Sequence, residues 1–153
     1  MGATTANQVA DYILYMTREV GDLISNLQLQ KLVYYSQAWY LAFYGEPLFD
    51  EPIEAWVHGP VQPGIYARFA GYTWQPITED VSCPTFHTSR VKSLVKEVLD
   101  VYARKTGWEL EALTHQEDPW REARGGIPND QPSHAVITHQ SMMRYYRSLL
   151  PDV

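Results

Sequence analysis

Asn26-Leu27-Gln28-Leu29-Gln30-Lys31-Leu32-Val33-Tyr34-Tyr35-Ser36-Gln37-Ala38-Trp39-Tyr40-Leu41-Ala42-Phe43-Tyr44-Gly45 is the stretch on which the fold turns. At about 100° per residue, Leu29, Leu32, Val33, Ser36, Trp39, Tyr40 and Phe43 share one helical face. The opposite face carries Leu27, Tyr34, Tyr35, Ala38, Leu41 and Ala42, interrupted by Lys31 and flanked by Gln28, Gln30 and Gln37. A helix apolar nearly all round is one that other elements cover on both sides. Asn26 reads as its N-cap, and Gly45 followed by Pro47 reads as its stop. The length would also suit a membrane span. Lys31, three glutamines and the many Tyr and Trp rings argue against that, since lipid-facing positions favour aliphatic side chains.

The chain has 153 residues with 12 Lys plus Arg against 18 Asp plus Glu, a formal charge of -6. Such a length suits a single domain, 1–153, that buries roughly two thirds of its unfolded surface without disulfide or metal. Acidity without a basic cluster argues against direct nucleic-acid binding. The single cysteine, Cys83, has no internal bridging partner. A reducing, cytoplasmic setting is the expectation. No apolar leader opens the chain, and Ala6 stands where a myristoylation signal after Met1-Gly2 needs Ser or Thr. Eleven tyrosines and five tryptophans can serve a core, and equally a recognition surface.

Upstream of the central stretch, Thr5 and Gln8 resemble a capping box, and Val9, Tyr12, Ile13, Met16 and Val20 recur at helical spacing. Downstream, Pro47, Pro52, Gly59, Pro60, Pro63 and Gly64 break the chain into short pieces. Ile53 to His58 alternates as a short strand that Gly59-Pro60 ends. Pro63 opens a short helix with Ile65, Tyr66 and Phe69 on one side. Residues 71–88 read as an irregular connection. Ser89 caps a helix whose buried stripe is Val91, Leu94, Val95, Val98, Leu99 and Tyr102. Thr106 and Glu109 form a capping box for a short helix over Trp108 to Leu113, and Asp118-Pro119 starts another that Gly125-Gly126 stop. Ala135-Val136-Ile137 reads as a second strand paired with 53–58, and Thr138 caps a last helix carrying Met142, Tyr145, Tyr146, Leu149 and Leu150. The expected fold class is therefore mainly α: helices around a buried central helix at about 26–45, with a small two- or three-stranded antiparallel sheet.

Residues of chemical interest are few. Cys83-x-x-x-His87 and the pair His134 and His139 reproduce no zinc motif, and no nucleophile elbow, phosphate loop or dinucleotide fingerprint occurs. No catalytic residue, metal ligand or cofactor is assigned. The rival reading is a small metal- or cysteine-dependent hydrolase built on His58, Cys83 and His115. Lys31 has two readings: a stem packed on the core with its ammonium reaching water or a carboxylate, or a charge held beside Tyr34 and Tyr35 on a partner-facing surface. Trp56 and His58 share a strand face, which makes them partner anchors if that face is open and core if it is covered. His115 reads as tying a loop and Trp120 as core.

Three separated signatures resemble one family. They are Leu29-Gln30-Lys31-Leu32 with Tyr34-Tyr35; Ile53-Glu54-Ala55-Trp56-x-His58-Gly59-Pro60-Val61 with Tyr66; and Thr114-His115-x-x-x-Pro119-Trp120 with Ala123. Together they resemble the Panacea domain, also called the SocA-like antitoxin domain, of bacteria and phages, over about residues 5–150. The resemblance implies a mainly helical fold with a small antiparallel sheet, no enzymatic activity, and an antitoxin that binds and neutralises a cognate protein toxin. It also implies an adaptor role as an option, since at least one member hands its toxin to an AAA+ protease. The partner-binding candidates are Lys31, Tyr34, Tyr35, Trp56 and His58. Leu29, Leu32, Gly59, Pro60, Tyr66, His115, Pro119 and Trp120 are motif residues that can equally be the skeleton of the fold. An interface of order 1,600 Å² suffices for such a role.

Overall fold

The structure is a computed structural model and describes residues 1–151. Residues 152 and 153, part of the domain span read from the sequence, lie outside the described residues. The elements in chain order are α1 (Ala6–Glu19), α2 (Asn26–Tyr44), β1 (Glu54–Trp56), β2 (Gly59–Val61), α3 (Pro63–Phe69), α4 (Ser89–Tyr102), α5 (Gly107–His115), α6 (Asp118–Arg124) and α7 (His139–Ser148), with a single 3-10 turn at Ala70–Tyr72. The fold is mainly helical with a two-stranded antiparallel sheet, as the residue pattern implies.

Helix α2 is the axis. It packs against α1, α3, α4, α5, α7 and β2, and Leu29, Leu32, Val33, Tyr34, Tyr35 and Ala38 are all sealed from solvent. Ser25, rather than Asn26, is the N-cap: its Oγ accepts from Gln28 N and Gln28 Oε1 accepts from Ser25 N, a complete capping box. Asn26 lies one position inside, buried, where its amide donates to Tyr66 O. Gly45 closes the helix in the left-handed conformation, φ 70°. Phe43, placed by the wheel on the inner face, is 48% exposed because the last turn runs beyond the covering helices.

Total burial forces the polar side chains of α2 to find partners inside the chain. Gln37 donates to Phe49 O and accepts from Leu48 N, both at 2.7 Å, which pins the loop after α2. Gln30 accepts from Gln62 N at 2.9 Å and donates to Asn26 Oδ1 at 2.9 Å. Two glutamines that look like solvent flanks in the sequence are thus the ties between the axis and its wrapping loops.

The sheet departs from the sequence expectation. Glu54–Trp56 pairs with Gly59–Val61 across a two-residue turn at Val57 and His58, in the register Ala55↔Pro60 and Trp56↔Gly59. Residues 135–137 form no named strand. They flank the other side of β1 through an isolated bridge, with Ala55 N donating to Ala135 O and Ile137 N donating to Ile53 O, both at 2.8 Å. The 71–88 connection is anchored by Ile77, which is fully buried and whose N–H donates to Ile24 O. Arg68 ties the same segment down, 2.7 Å from Asp11 and 2.6 Å from Glu79.

Gly59 is the tightest point of the hairpin. Its φ is +105°, and a Cβ there would lie 2.6 Å from Lys31 Cε and 3.0 Å from Thr114 Oγ1, both on buried side chains that cannot swing aside. Gly59→Ala therefore carries backbone strain and overpacking together and is expected to cost about 2–4 kcal/mol. A urea denaturation curve checks this; a midpoint equal to that of the unsubstituted chain would show that the hairpin does not rest on Lys31 as described.

Candidate functional site

The three sequence signatures meet at the hairpin, because the second forms it and the first and third supply side chains that hydrogen-bond its backbone. Lys31 Nζ donates to Pro60 O at 3.2 Å from α2. Trp120 Nε1 donates to Trp56 O at 2.8 Å, and Arg124 Nη1 donates to Ala55 O at 3.0 Å, both from α6. His115, at the end of α5, lies against the backbone of Val57 and stacks on Trp120 with ring centres 3.9 Å apart and planes 13° apart. The turn that presents Val57 and His58 is therefore held from behind by a lysine, a histidine, a tryptophan and an arginine. Trp120 is buried in the core, and burial pushes the His115 imidazole below its ordinary value.

In front of this hairpin lies a groove of about 380 Å³, within the size range of ligand sites. Asn26, Leu27, Gln30 and Lys31 of α2 form its floor, Trp56, Val57, His58 and Val61 one wall, and Tyr66, Trp74, Trp108 and Glu111 the rest, with Pro132, Ser133 and His134 at one end. The rings face one another at angles: Trp56 meets Tyr66 edge-on at 5.0 Å and His134 at 5.5 Å, and His58 meets Trp108 edge-on at 6.2 Å. Trp74 is 81% exposed, Trp108 69% and Tyr66 41%. Two carboxylates on the rim are held by neighbouring side chains. Glu111 Oε1 lies 3.0 Å from His58 Nδ1, and Glu54 Oε1 accepts from Trp56 Nε1 at 2.9 Å and lies 3.2 Å from His134 Nδ1.

Lys31 is fully buried under Gly59 and Pro60. The stem is packed in the core as the first reading has it, with the Glu111 carboxylate nearby and no water in reach; the second reading fails, because the ammonium lies beneath the surface rather than on it. Burial lowers its pKa from 10.5 to about 7, against the nearby Glu111 carboxylate, which raises it.

Tyr34 and Tyr35 correct the expectation of a partner-facing surface, since both are sealed inside. Tyr35 donates to Glu117 Oε1 at 2.6 Å and Tyr146 donates to the same oxygen at 2.9 Å, while the Tyr34 and Tyr146 hydroxyls are 2.9 Å apart. Tyr35 also stacks on Tyr102 with ring centres 3.9 Å apart. Burial pushes the Glu117 carboxyl up, and the two tyrosine hydroxyls pull it back. This network is the buried fastening of α2 to α7 and to the start of α6. Leu29 and Leu32 lie in the core, Pro119 is buried, and Tyr66 stands at the groove edge.

Of the partner candidates, Trp56 and His58 line the groove, with Lys31 beneath them. Trp74, Trp108 and Glu111 are not singled out by the sequence, and Glu54 stands there only as a member of the second signature and as a carboxylate to pair with Asp118. The available signal was a tryptophan set among polar or turn residues, where no apolar stripe claims it. The residues of the hydrolase reading do not assemble into one site. Cys83 is exposed in the segment whose Phe86 packs edge-on against Tyr12 of α1, whereas His58 and His115 belong to the hairpin and α5. Among the described residues, no three His, Cys, Asp or Glu side chains are grouped to hold a metal ion. No helix among them is long and apolar enough to cross a membrane.

The class this architecture defines is matched by a family model: residues 29–121, which contain the three signatures except for Ala123 at the end of the third, match the antitoxin SocA-like, Panacea domain. The chain belongs to that family. A curated relative, antitoxin SocA of Caulobacter vibrioides (strain NA1000 / CB15N), is 40% identical over 65 residues, 42% of this chain and 35% of that protein. The match thus spans about a third of the relative's length. No solved structure matches.

The lowered pKa of Lys31 sets a pH dependence. From about pH 7 up to the ordinary lysine value of 10.5, the unfolded chain holds a proton that the folded chain lacks. Stability therefore rises with pH across that window, and below about pH 7 the penalty is full and constant. Buried Tyr34, Tyr35 and Tyr146, all pushed up by burial, oppose this only above about pH 10. Between about pH 7 and 9 the chain should gain on the order of 1 kcal/mol per pH unit from this group, and Lys31→Met should lose that slope. Denaturation at three pH values checks it; parallel profiles for the two proteins would contradict it.

Proposed function

We propose that this chain is an antitoxin that neutralises a cognate protein toxin by direct binding, without enzymatic turnover. It would act in the cytoplasm as one domain spanning 1–153. What carries the reading is membership of the antitoxin SocA-like family over residues 29–121. The geometry supports it in a specific way. Trp56 and His58, two of the partner candidates, stand in a groove that leaves large aromatic rings open to solvent, and exposed aromatic surface of this kind marks sites of macromolecular contact. Lys31 contributes from below by fixing Pro60, while Tyr34 and Tyr35 contribute only to the core.

Neutralisation by covering the toxin and neutralisation by delivery to an AAA+ protease make different demands, and toxin lifetime separates them. In cells lacking the protease, sequestration still relieves growth inhibition, whereas an adaptor does not.

The reading is tested by co-expression with the product of the neighbouring reading frame. The expected result is a complex that co-purifies and relief of the growth inhibition which that product causes alone. Neither complex nor relief would overturn the antitoxin reading.

A further inference from the structure

The groove has a chemical character that says what it takes. Its walls are aromatic faces, and the charges that reach its rim are carboxylates. Glu111 is 14% exposed and Glu54 is 21% exposed in their side chains; each has a histidine as its ion-pair partner among the described residues, and Glu111 also has the buried Lys31 nearby. Glu54 has Trp56 Nε1 as a further, neutral donor. The lysine nearby is shut beneath Gly59 and bonded to Pro60 O, so it presents no ammonium to a ligand. The chain as a whole is acidic, with a formal charge of -6. Partly desolvated carboxylates with no exposed lysine or arginine paired to them, framed by open tryptophan faces, are the arrangement that binds a guanidinium or ammonium by ion pairing and cation–π contact together.

We propose that this groove is the docking site for a short basic segment of the partner polypeptide, which sets an arginine or lysine against Glu111 and lays its stem and an adjoining apolar side chain across Trp56, Trp74 and Trp108. This rests on the reading of the chain as a partner-binding protein and adds the chemistry of what is bound. His58 is the movable piece: it occupies Glu111 Oε1 from an exposed turn, and an incoming guanidinium takes over that oxygen or uses the other one. Arginine is favoured over lysine, because its planar fork matches the carboxylate and stacks on indole.

The test uses the five tryptophans as reporters. In the ¹⁵N-labelled full chain, Trp56, Trp74 and Trp108 lie in the groove. Trp39 and Trp120 are internal controls, their indole N–H groups bonded to Tyr102 Oη and Trp56 O. The probe is the peptide acetyl-Gly-Leu-Arg-Gly-amide, compared with versions carrying citrulline or glutamate in place of arginine. The arginine peptide should shift the three groove indoles with the controls unmoved, and bind about fivefold to tenfold more tightly than the citrulline peptide. Glu111→Gln should remove that difference while leaving the control signals in place, which shows that the fold is intact. Equal affinity for all three peptides, preference for glutamate, or no shift up to about 10 mM peptide, the weak limit for a single anchored side chain, overturns the proposal. If the peptides fail while co-expression still rescues growth, the docking chemistry is wrong and the antitoxin reading stands. If the peptides bind as expected but rescue fails, the groove is a basic-segment site in a protein with another role.

Discussion

Burial of α2 from Leu29 to Ala38 is the constraint from which the rest follows. A nineteen-residue helix covered along most of its length cannot leave a buried amide, hydroxyl or ammonium unpaired, because each such group removed from water without a partner is strongly destabilising. The polar residues of α2 therefore dictate where the surrounding chain must pass. Gln37 draws in the loop at Leu48 and Phe49, Gln30 draws in Gln62 at the start of α3, and Lys31 draws in the Pro60 carbonyl. The placement of the hairpin is a consequence of where α2 carries its lysine.

The two ends of this axis use the aromatic supply differently. Towards its middle and C-terminal half, tyrosines face inward around Glu117, and their hydroxyls satisfy one another and the carboxylate. Towards its N-terminus, the tryptophans and a tyrosine face outward over the hairpin and α5, and their rings frame a cavity. A buried carboxylate with two hydroxyl donors and a buried amine with one carbonyl acceptor are both fixed points. Both costs are borne by a core that runs continuously from α1 to α7.

Much of the architecture was legible in the residues. The near-continuous apolar surface of 26–45 announced a wrapped helix, and Thr5, Thr106, Thr138 and Gly45 marked element ends where the structure has them. The hairpin was not legible, because Gly59-Pro60 reads as a stop. Ala55 turns its N–H towards Ala135 rather than towards β2, so the residue opposite it, Pro60, needs no donor, and proline is tolerated in that register. The site was half legible. Trp56 and His58 followed from strand alternation. Trp74 and Trp108 belong to elements too short or too polar for a periodic stripe, and only folding brings them together. The burial of Tyr34 and Tyr35 escaped the sequence for a related reason: a tyrosine in a buried helix needs a hydroxyl partner, and theirs, Glu117 and Tyr146, lie more than eighty residues away along the chain.

The account stands or falls on α2 being the protected axis of the molecule. Native-state hydrogen–deuterium exchange read residue by residue measures this directly. Amides of Leu32 through Leu41 should be among the slowest in the chain and exchange only through global unfolding, with the 71–88 connection opening far sooner. Exchange of those α2 amides at the rate of the outer helices α5 and α6 would show a helix that opens locally, and would contradict the architecture described.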